Sequence, residues 1–119
     1  YGEANALVSG LAAQGGNMVV SCDTQALEAM AQVCENNGYT LPLFGMGWSG
    51  MVREQLEKGN IDGVAVADAY GAGYFGVQKL TMILTGEDQN DEERIFQTIW
   101  VTGENMYDRS REAILFPFA

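Results

Sequence analysis

The stretch IDGVAVADAY, residues 61–70, decides the fold of this chain. Residues 64–67 are apolar without interruption, which is typical of a strand that is covered on both faces of a sheet. Asp68 follows directly, and aspartate is favoured at the residue that begins a helix. The stretch therefore predicts a buried strand over 61–67 that leads through a capping acid into a helix over 69–84. The inner stripe of this helix is predicted to comprise Tyr70, Gly73, Tyr74, Val77, Leu80, Thr81 and Leu84.

The same alternation of strand and helix continues on both sides of this unit. Apolar runs predict further strands, and apolar residues at helical spacing predict further helices. The predicted strands are 18–20, 41–46, 61–67 and 95–101, and the predicted helices are 3–14, 24–37, 50–58 and 69–84. Such alternation is typical of an α/β fold, a three-layer open parallel sheet with helices on both faces. The apolar tail 114–118 has no obvious place in four such units.

Composition limits the function. The chain has 119 residues, the size of one domain, and a formal net charge of −10 from 6 basic and 16 acidic residues. A nucleic-acid backbone would be repelled by this charge, so no nucleic-acid partner is expected. There is no histidine, which excludes Ser-His-Asp and Cys-His catalysis and histidine-based metal sites. We expect no metal and no cofactor.

Cys22 and Cys34 are the only thiols. If Asp23 begins a helix, Cys34 lies roughly 16 Å along it at 1.5 Å per residue. A disulfide needs Cα atoms within about 7 Å. We therefore predict two unpaired and buried cysteines.

Three side chains follow the predicted strands at the edge where parallel sheets bind ligands. They are Asp23, Trp48 and Asp68. Carboxylates accept hydrogen bonds from sugar hydroxyls, and an indole ring covers the apolar face of a sugar. The sequence also allows a structural interpretation, in which the two acids only cap helices and Trp48 packs in the core or between lobes.

Two motifs suggest other chemistry and are set aside. The pattern GAGYFG at 71–76 matches a dinucleotide-binding motif, but it lies inside the predicted helix rather than in a tight strand-to-helix turn. Small residues that allow the helix to pack closely on the sheet are the preferred interpretation. The acidic run within 87–93 lacks the spacing of a calcium loop and predicts a surface loop.

Six segments in the right order resemble the C-terminal lobe of type I periplasmic solute-binding proteins, the sugar receptors of ABC importers. The resemblance covers roughly residues 17–105. The segments are SCDTQAL at 21–27, LEKG at 56–59, ADAY at 67–70, GY at 73–74, LTGE at 84–87 and VTGEN at 101–105. Gly47 and Ala67 depart from the family, which has an acid and a glutamine at these places.

The resemblance implies a fold, a role and partners. Residues 1–119 would form one incomplete lobe of a two-lobe protein that closes on a sugar or polyol and delivers it to an ABC permease. It would be a periplasmic protein or a cell-surface lipoprotein, not an enzyme, with Asp23, Trp48 and Asp68 as ligand-binding residues. The alternative is the effector-binding domain of a sugar-responsive transcription regulator, and a nucleotide-dependent enzyme is a third hypothesis. An incomplete lobe is also expected either to associate with itself or to be only marginally stable.

Overall fold

The computed structural model describes residues 1–87 and 93–118. Within these residues the chain forms helices and strands in alternation, as predicted. They are α1 (Gly2–Ala13), β1 (Val19–Ser21), α2 (Thr24–Asn37), β2 (Leu43–Met46), α3 (Gly50–Glu57), β3 (Gly63–Ala67), α4 (Ala69–Leu84), β4 (Thr98–Val101) and α5 (Arg109–Leu115).

The four strands form one sheet in the order β1-β2-β3-β4. The first three are parallel, which confirms the predicted open α/β sheet. The last strand is antiparallel, with Thr98 opposite Ala67, so the sheet is mostly parallel and the prediction of a parallel fourth strand is wrong. β4 is antiparallel because the chain leaves the sheet at the carboxyl end of β3 and β4 begins beside that same end.

One face of the sheet carries the core. Side chains alternate along β1, so that Val19 is buried and Val20 is exposed. Helices α2 and α3 cover the buried face, and α1 packs against α2. The fully enclosed side chains come from the helices, this face and the loops, and include Val8, Leu27, Leu43, Val52, Ile61, Val64, Val101 and Met106.

The opposite face of the sheet remains exposed in the part of the chain that the structure describes. Val20, Met46 and Trp100 each expose about half or more of their surface there. Phe44 stacks on Trp100 with ring centroids 5.9 Å apart, and the Trp100 ring covers Gly63 so closely that a Cβ at this glycine would overlap it. Several large apolar side chains therefore form an open sheet face.

Helix α4 differs most from expectation. Its inner stripe was predicted to contact the core, yet Val77 is 67% exposed, Leu80 56% and Leu84 78%. Gly71 is the one buried residue of this helix. The prediction of a buried stripe is wrong because α4 runs beside residues 93–97, where Phe75 stacks on Phe96 at 6.1 Å.

The molecule is elongated as a consequence. Its radius of gyration is 18.1 Å and its longest extent is 60 Å. A compact domain of this length has a radius of gyration of about 13.5 Å. The difference indicates that a part of the chain extends away from the core, and the exposure of α4 identifies that part.

The cysteines follow the prediction in part. Both are unpaired, as expected. Cys34 is buried in α2, and desolvation raises the pKa of its thiol. Cys22 is exposed, contrary to prediction, because it lies in the turn between β1 and α2.

Three further features are the predicted acidic loop, membrane-spanning helices and metal sites. Residues 88–92 of the predicted acidic loop lie outside the described residues. Among the residues that are described, no helix has the length and apolarity to cross a membrane, and no cluster of acidic or cysteine side chains could hold a metal ion.

Candidate functional site

Asp23 begins α2 at the carboxyl end of β1. Its backbone is extended, with φ −129° and ψ 135°, and its Oδ2 accepts a hydrogen bond from the Ala26 N–H at 2.9 Å. This is the geometry of an N-cap, so Asp23 caps α2 as predicted, and its role in ligand binding stays a prediction. The side chain is exposed and the cap uses one carboxylate oxygen, which leaves the other for a ligand.

Asp68 has the same arrangement at the beginning of α4. Its Oδ1 accepts a hydrogen bond from the Gly71 N–H at 2.8 Å, and its own N–H donates to the Gln97 carbonyl at 3.1 Å. The side chain is half-buried. Both acids therefore cap helices, and both lie at one edge of the sheet.

The glycine pattern at 71–76 is explained by this cap in part. A Cβ at Gly71 would overlap the Asp68 carboxylate, so this position requires glycine. Gly73 and Gly76 have no neighbour within 4 Å of a Cβ position and lie on the exposed helix. The predicted close packing of these two glycines on the sheet is therefore wrong. The motif lies inside α4, as expected, and not in a phosphate-binding turn.

Trp48 follows β2 and is held by the C-terminal tail. Its Nε1–H donates to the Leu115 carbonyl at 3.1 Å, and its ring packs edge-on against Phe116 at 6.0 Å. Leu115 is buried in the core. The tail therefore has a place in the fold, contrary to expectation, and the indole N–H is not free for a ligand. Stacking of a ligand on the half-buried ring stays a prediction.

The contact of Trp48 continues into an aromatic row. Phe116 stacks on Tyr107 with centroids 6.0 Å apart and planes 4° from parallel. The Tyr107 hydroxyl is hydrogen-bonded to Glu57, and this carboxylate raises the pKa of Tyr107. Through these contacts the tail residue Phe116 is connected to Glu57 on α3. The row therefore holds the tail against the core, where Leu115 is buried.

Gly47 lies between the two acids at the end of β2. Its φ is +106°, and a Cβ there would overlap Thr24 Oγ1. Thr24 Oγ1 itself donates to the Met46 carbonyl at 3.2 Å. Strands are about 4.8 Å apart, so β1 and β3 lie roughly 10 Å apart across β2. The two capping acids therefore lie on either side of the end of β2, which the Thr24 side chain covers.

A cleft of about 310 Å³ adjoins Asp68, between α4 and α5. Its volume is at the lower end of the range for small-molecule sites. The lining is mostly apolar and comprises Asp68, Tyr70, Gly71, Tyr74, Phe75, Ala113 and Ile114. Sequence reasoning assigned Tyr70 and Tyr74 to the core and so missed them as lining residues. Their spacing of four residues after a capping acid is the signal that places them on one side of the helix.

Comparisons with known proteins come from structure. No protein-family model and no curated protein matches the sequence. A solute-binding protein of an ABC transporter from Agrobacterium vitis, solved with bound D-fucose, matches 95% of this chain and 40% of its own length, with a TM-score of 0.82 and 19% identity. A carbohydrate transporter solute-binding protein from Agrobacterium radiobacter, in complex with D-arabinose, matches 94% of this chain and 39% of its own length, with a TM-score of 0.78 and 21% identity.

A third match is of another kind. A protein from Bacteroides fragilis, assigned as a LacI transcriptional regulator, has a TM-score of 0.76 at 10% identity over 87% of this chain and 36% of its own. This chain thus spans about two fifths of the proteins it matches. None of the three is described as an enzyme. The chain therefore has the fold of one part of the sugar-type solute-binding proteins, as the sequence resemblance predicts.

Proposed function

We propose that the chain is part of an extracytoplasmic receptor of an ABC importer that binds a sugar or a sugar-like small molecule. The observation that carries the proposal is the pair of carboxylates, Asp23 and Asp68, at the strand ends of a fold shared with proteins described as binding D-fucose and D-arabinose. Carboxylate oxygens accept short hydrogen bonds from hydroxyls. The receptor binds its ligand without chemical conversion.

A two-lobe arrangement supports the same proposal. The apolar stripe of α4, with Val77, Leu80 and Leu84, is exposed, and large exposed apolar patches mark contact surfaces. The matched proteins are about two and a half times as long as this chain, since it spans 39–40% of their length. We propose that residues 1–119 are the C-terminal lobe, that a second lobe covers α4, and that the ligand lies between the lobes.

The proposed partners follow from this role. An importer receptor delivers its ligand to an ABC permease in the membrane, and it does so outside the cytoplasm. The protein is accordingly proposed to reside in the periplasm or on the cell surface as a lipoprotein. A secretion or lipoprotein signal in the gene would support this location.

The second candidate is the effector-binding domain of a sugar-responsive transcription regulator. The similarity to a protein assigned as a LacI regulator favours it, with a TM-score of 0.76. Both candidates use the same edge of the sheet to hold a sugar. A helix-turn-helix encoded in the same gene would decide for the regulator, and a secretion signal would decide for the receptor.

Binding can be tested on the whole gene product. Calorimetry against a panel of neutral monosaccharides should find at least one ligand. Asp23→Asn and Asp68→Asn should each lower the affinity for that ligand about tenfold or more. The reason is that a hydrogen bond to a charged group contributes about 1.5–3 kcal/mol. Asparagine is as good an N-cap as aspartate, so both variants should fold.

The matched control for binding is Glu104→Gln. Glu104 is exposed beside Leu56 and Gly59, in a cleft that contains neither capping acid. Its removal changes the net charge equally and should leave affinity unchanged. The proposal fails if no sugar binds, or if both asparagine variants bind as tightly as the parent.

Self-association of the 119-residue chain is a separate prediction. The α4 stripe and the open sheet face both expose apolar surface to water, and burying it is favourable. Sedimentation velocity should show concentration-dependent association. Val77→Gln with Leu80→Gln should shift the chain towards monomer, whereas Ala72→Gln, on the same helix, should not. A parent chain that stays monomeric at every concentration would contradict the prediction.

A further inference from the structure

We infer that the ligand site selects by charge, so that it prefers amino sugars and neutral sugars to sugar acids. The inference rests on the proposed sugar-binding function and deepens it. Its basis is the cleft beside Asp68, whose lining among the described residues combines this acid with two tyrosines and includes no lysine or arginine.

The two acids at the carboxyl edge of the sheet are held in place as hydrogen-bond acceptors. Asp23 accepts from a backbone N–H at 2.9 Å and Asp68 from another at 2.8 Å. A further acid, Glu28, lies close by on α2 and accepts a hydrogen bond from Ser49, the N-cap of α3. The edge therefore carries negative charge.

Two of the six basic side chains pair with acids that do not line this cleft. Lys58 binds Glu35 at 2.8 Å and also pairs with Glu54. Lys58 lies at the C-terminal end of α3, whereas Ser49 lies at its N-terminal end. Arg111 binds Asp108 at 3.2 Å and donates to the Trp100 carbonyl. Neither is itself a lining residue of the Asp68 cleft.

Arg94 contacts one residue of that lining, Phe75. Its guanidinium lies 3.4 Å from the centroid of the Phe75 ring, and it lines a neighbouring cleft together with Lys79. The lining of the Asp68 cleft itself includes neither basic residue. Within the described residues, an anionic ligand at Asp68 would find no cation in the wall of its cleft.

The aromatic lining adds to the selection. Tyr70 and Tyr74 stack with centroids 6.2 Å apart and line the cleft next to the carboxylate. The faces of aromatic rings attract cations and repel anions. An ammonium group on a sugar would gain from both the carboxylate and a ring face, and a sugar carboxylate would lose at both.

The test uses matched ligands on the whole gene product at mildly acidic pH, where amines are protonated and carboxylates ionised. The probes are galactose, galactosamine and galacturonate, and glucose, glucosamine and glucuronate. Within a series that binds, the amino sugar should bind at least about tenfold more tightly than the uronate, because opposite unit charges close to a carboxylate differ by that order. The ratio should fall as salt is raised.

Two variants localise the effect. Asp68→Asn keeps the cap and should reduce the ratio of amino-sugar to uronate affinity severalfold. Glu104→Gln removes the same charge at a distant cleft and should leave the ratio within about twofold. A uronate that binds as tightly as the amino sugar, or equal effects of the two variants, would overturn the inference while sugar binding stands. No binding in either series would overturn the proposed function itself.

Discussion

Replacing Trp48 with alanine is expected to lower the free energy of unfolding of the chain by about 3 kcal/mol, the lower end of the range for aromatic-to-alanine changes in packed sites. The substitution removes the donor to the Leu115 carbonyl and the ring that packs against Phe116. The tail should loosen as a result. Urea unfolding followed by far-ultraviolet circular dichroism measures the loss, and hydrogen exchange at residues 113–116 reports on the tail.

Trp48→Phe is the matched control. It keeps an aromatic ring against Phe116 and loses only the hydrogen bond, which contributes about 1 kcal/mol. If Trp48 also stacks on the ligand, Trp48→Phe should largely retain affinity in the whole gene product. Trp48→Ala could instead lower the free energy of unfolding by less than the loss of about 1 kcal/mol expected for Trp48→Phe. In that case Trp48 does not hold the tail in place, and the aromatic row has no structural role.

Local signals predicted the parts of this fold that depend on neighbours in sequence. Asp23 and Asp68 were assigned as helix caps because capping uses a residue and the backbone three positions later. The strands over 61–67 and 41–46 are predicted because uninterrupted apolar runs and flanking glycines are local features, and the structure has them at Gly63–Ala67 and Leu43–Met46. The candidate acids therefore came from sequence alone.

Contacts between distant residues could not be predicted in this way. The bond from Trp48 to Leu115 joins residues 67 positions apart, and nothing near either residue indicates it. The apolar stripe of α4 predicted a helix that needs a cover, but periodicity does not say which surface provides it. The sequence analysis predicted that the sheet covers this stripe. In the structure α4 contacts residues 93–97 instead, and the stripe is exposed.

Gly47→Ala is expected to lower the free energy of unfolding by about 3 kcal/mol. A positive φ costs a residue with a Cβ about 1–2 kcal/mol, and φ at Gly47 is +106°. The new Cβ would also overlap Thr24 Oγ1, and overpacking of this kind costs about 1–3 kcal/mol. An acid at this position would meet the same backbone strain and the same overlap with Thr24.

Two further glycines separate the causes of this effect. Gly59 has φ +79° with nothing within 4 Å of a Cβ position, so Gly59→Ala reports backbone strain alone and should cost about 1 kcal/mol. Gly50 has open space and no positive φ, so Gly50→Ala should change stability by about 0.5 kcal/mol or less. Adding Thr24→Ala to Gly47→Ala should recover part of the loss in a double-mutant cycle. Gly47→Ala could instead lower the free energy of unfolding by no more than Gly59→Ala does. That result would show that Thr24 does not approach the end of β2 closely, and an acid could then be placed between Asp23 and Asp68.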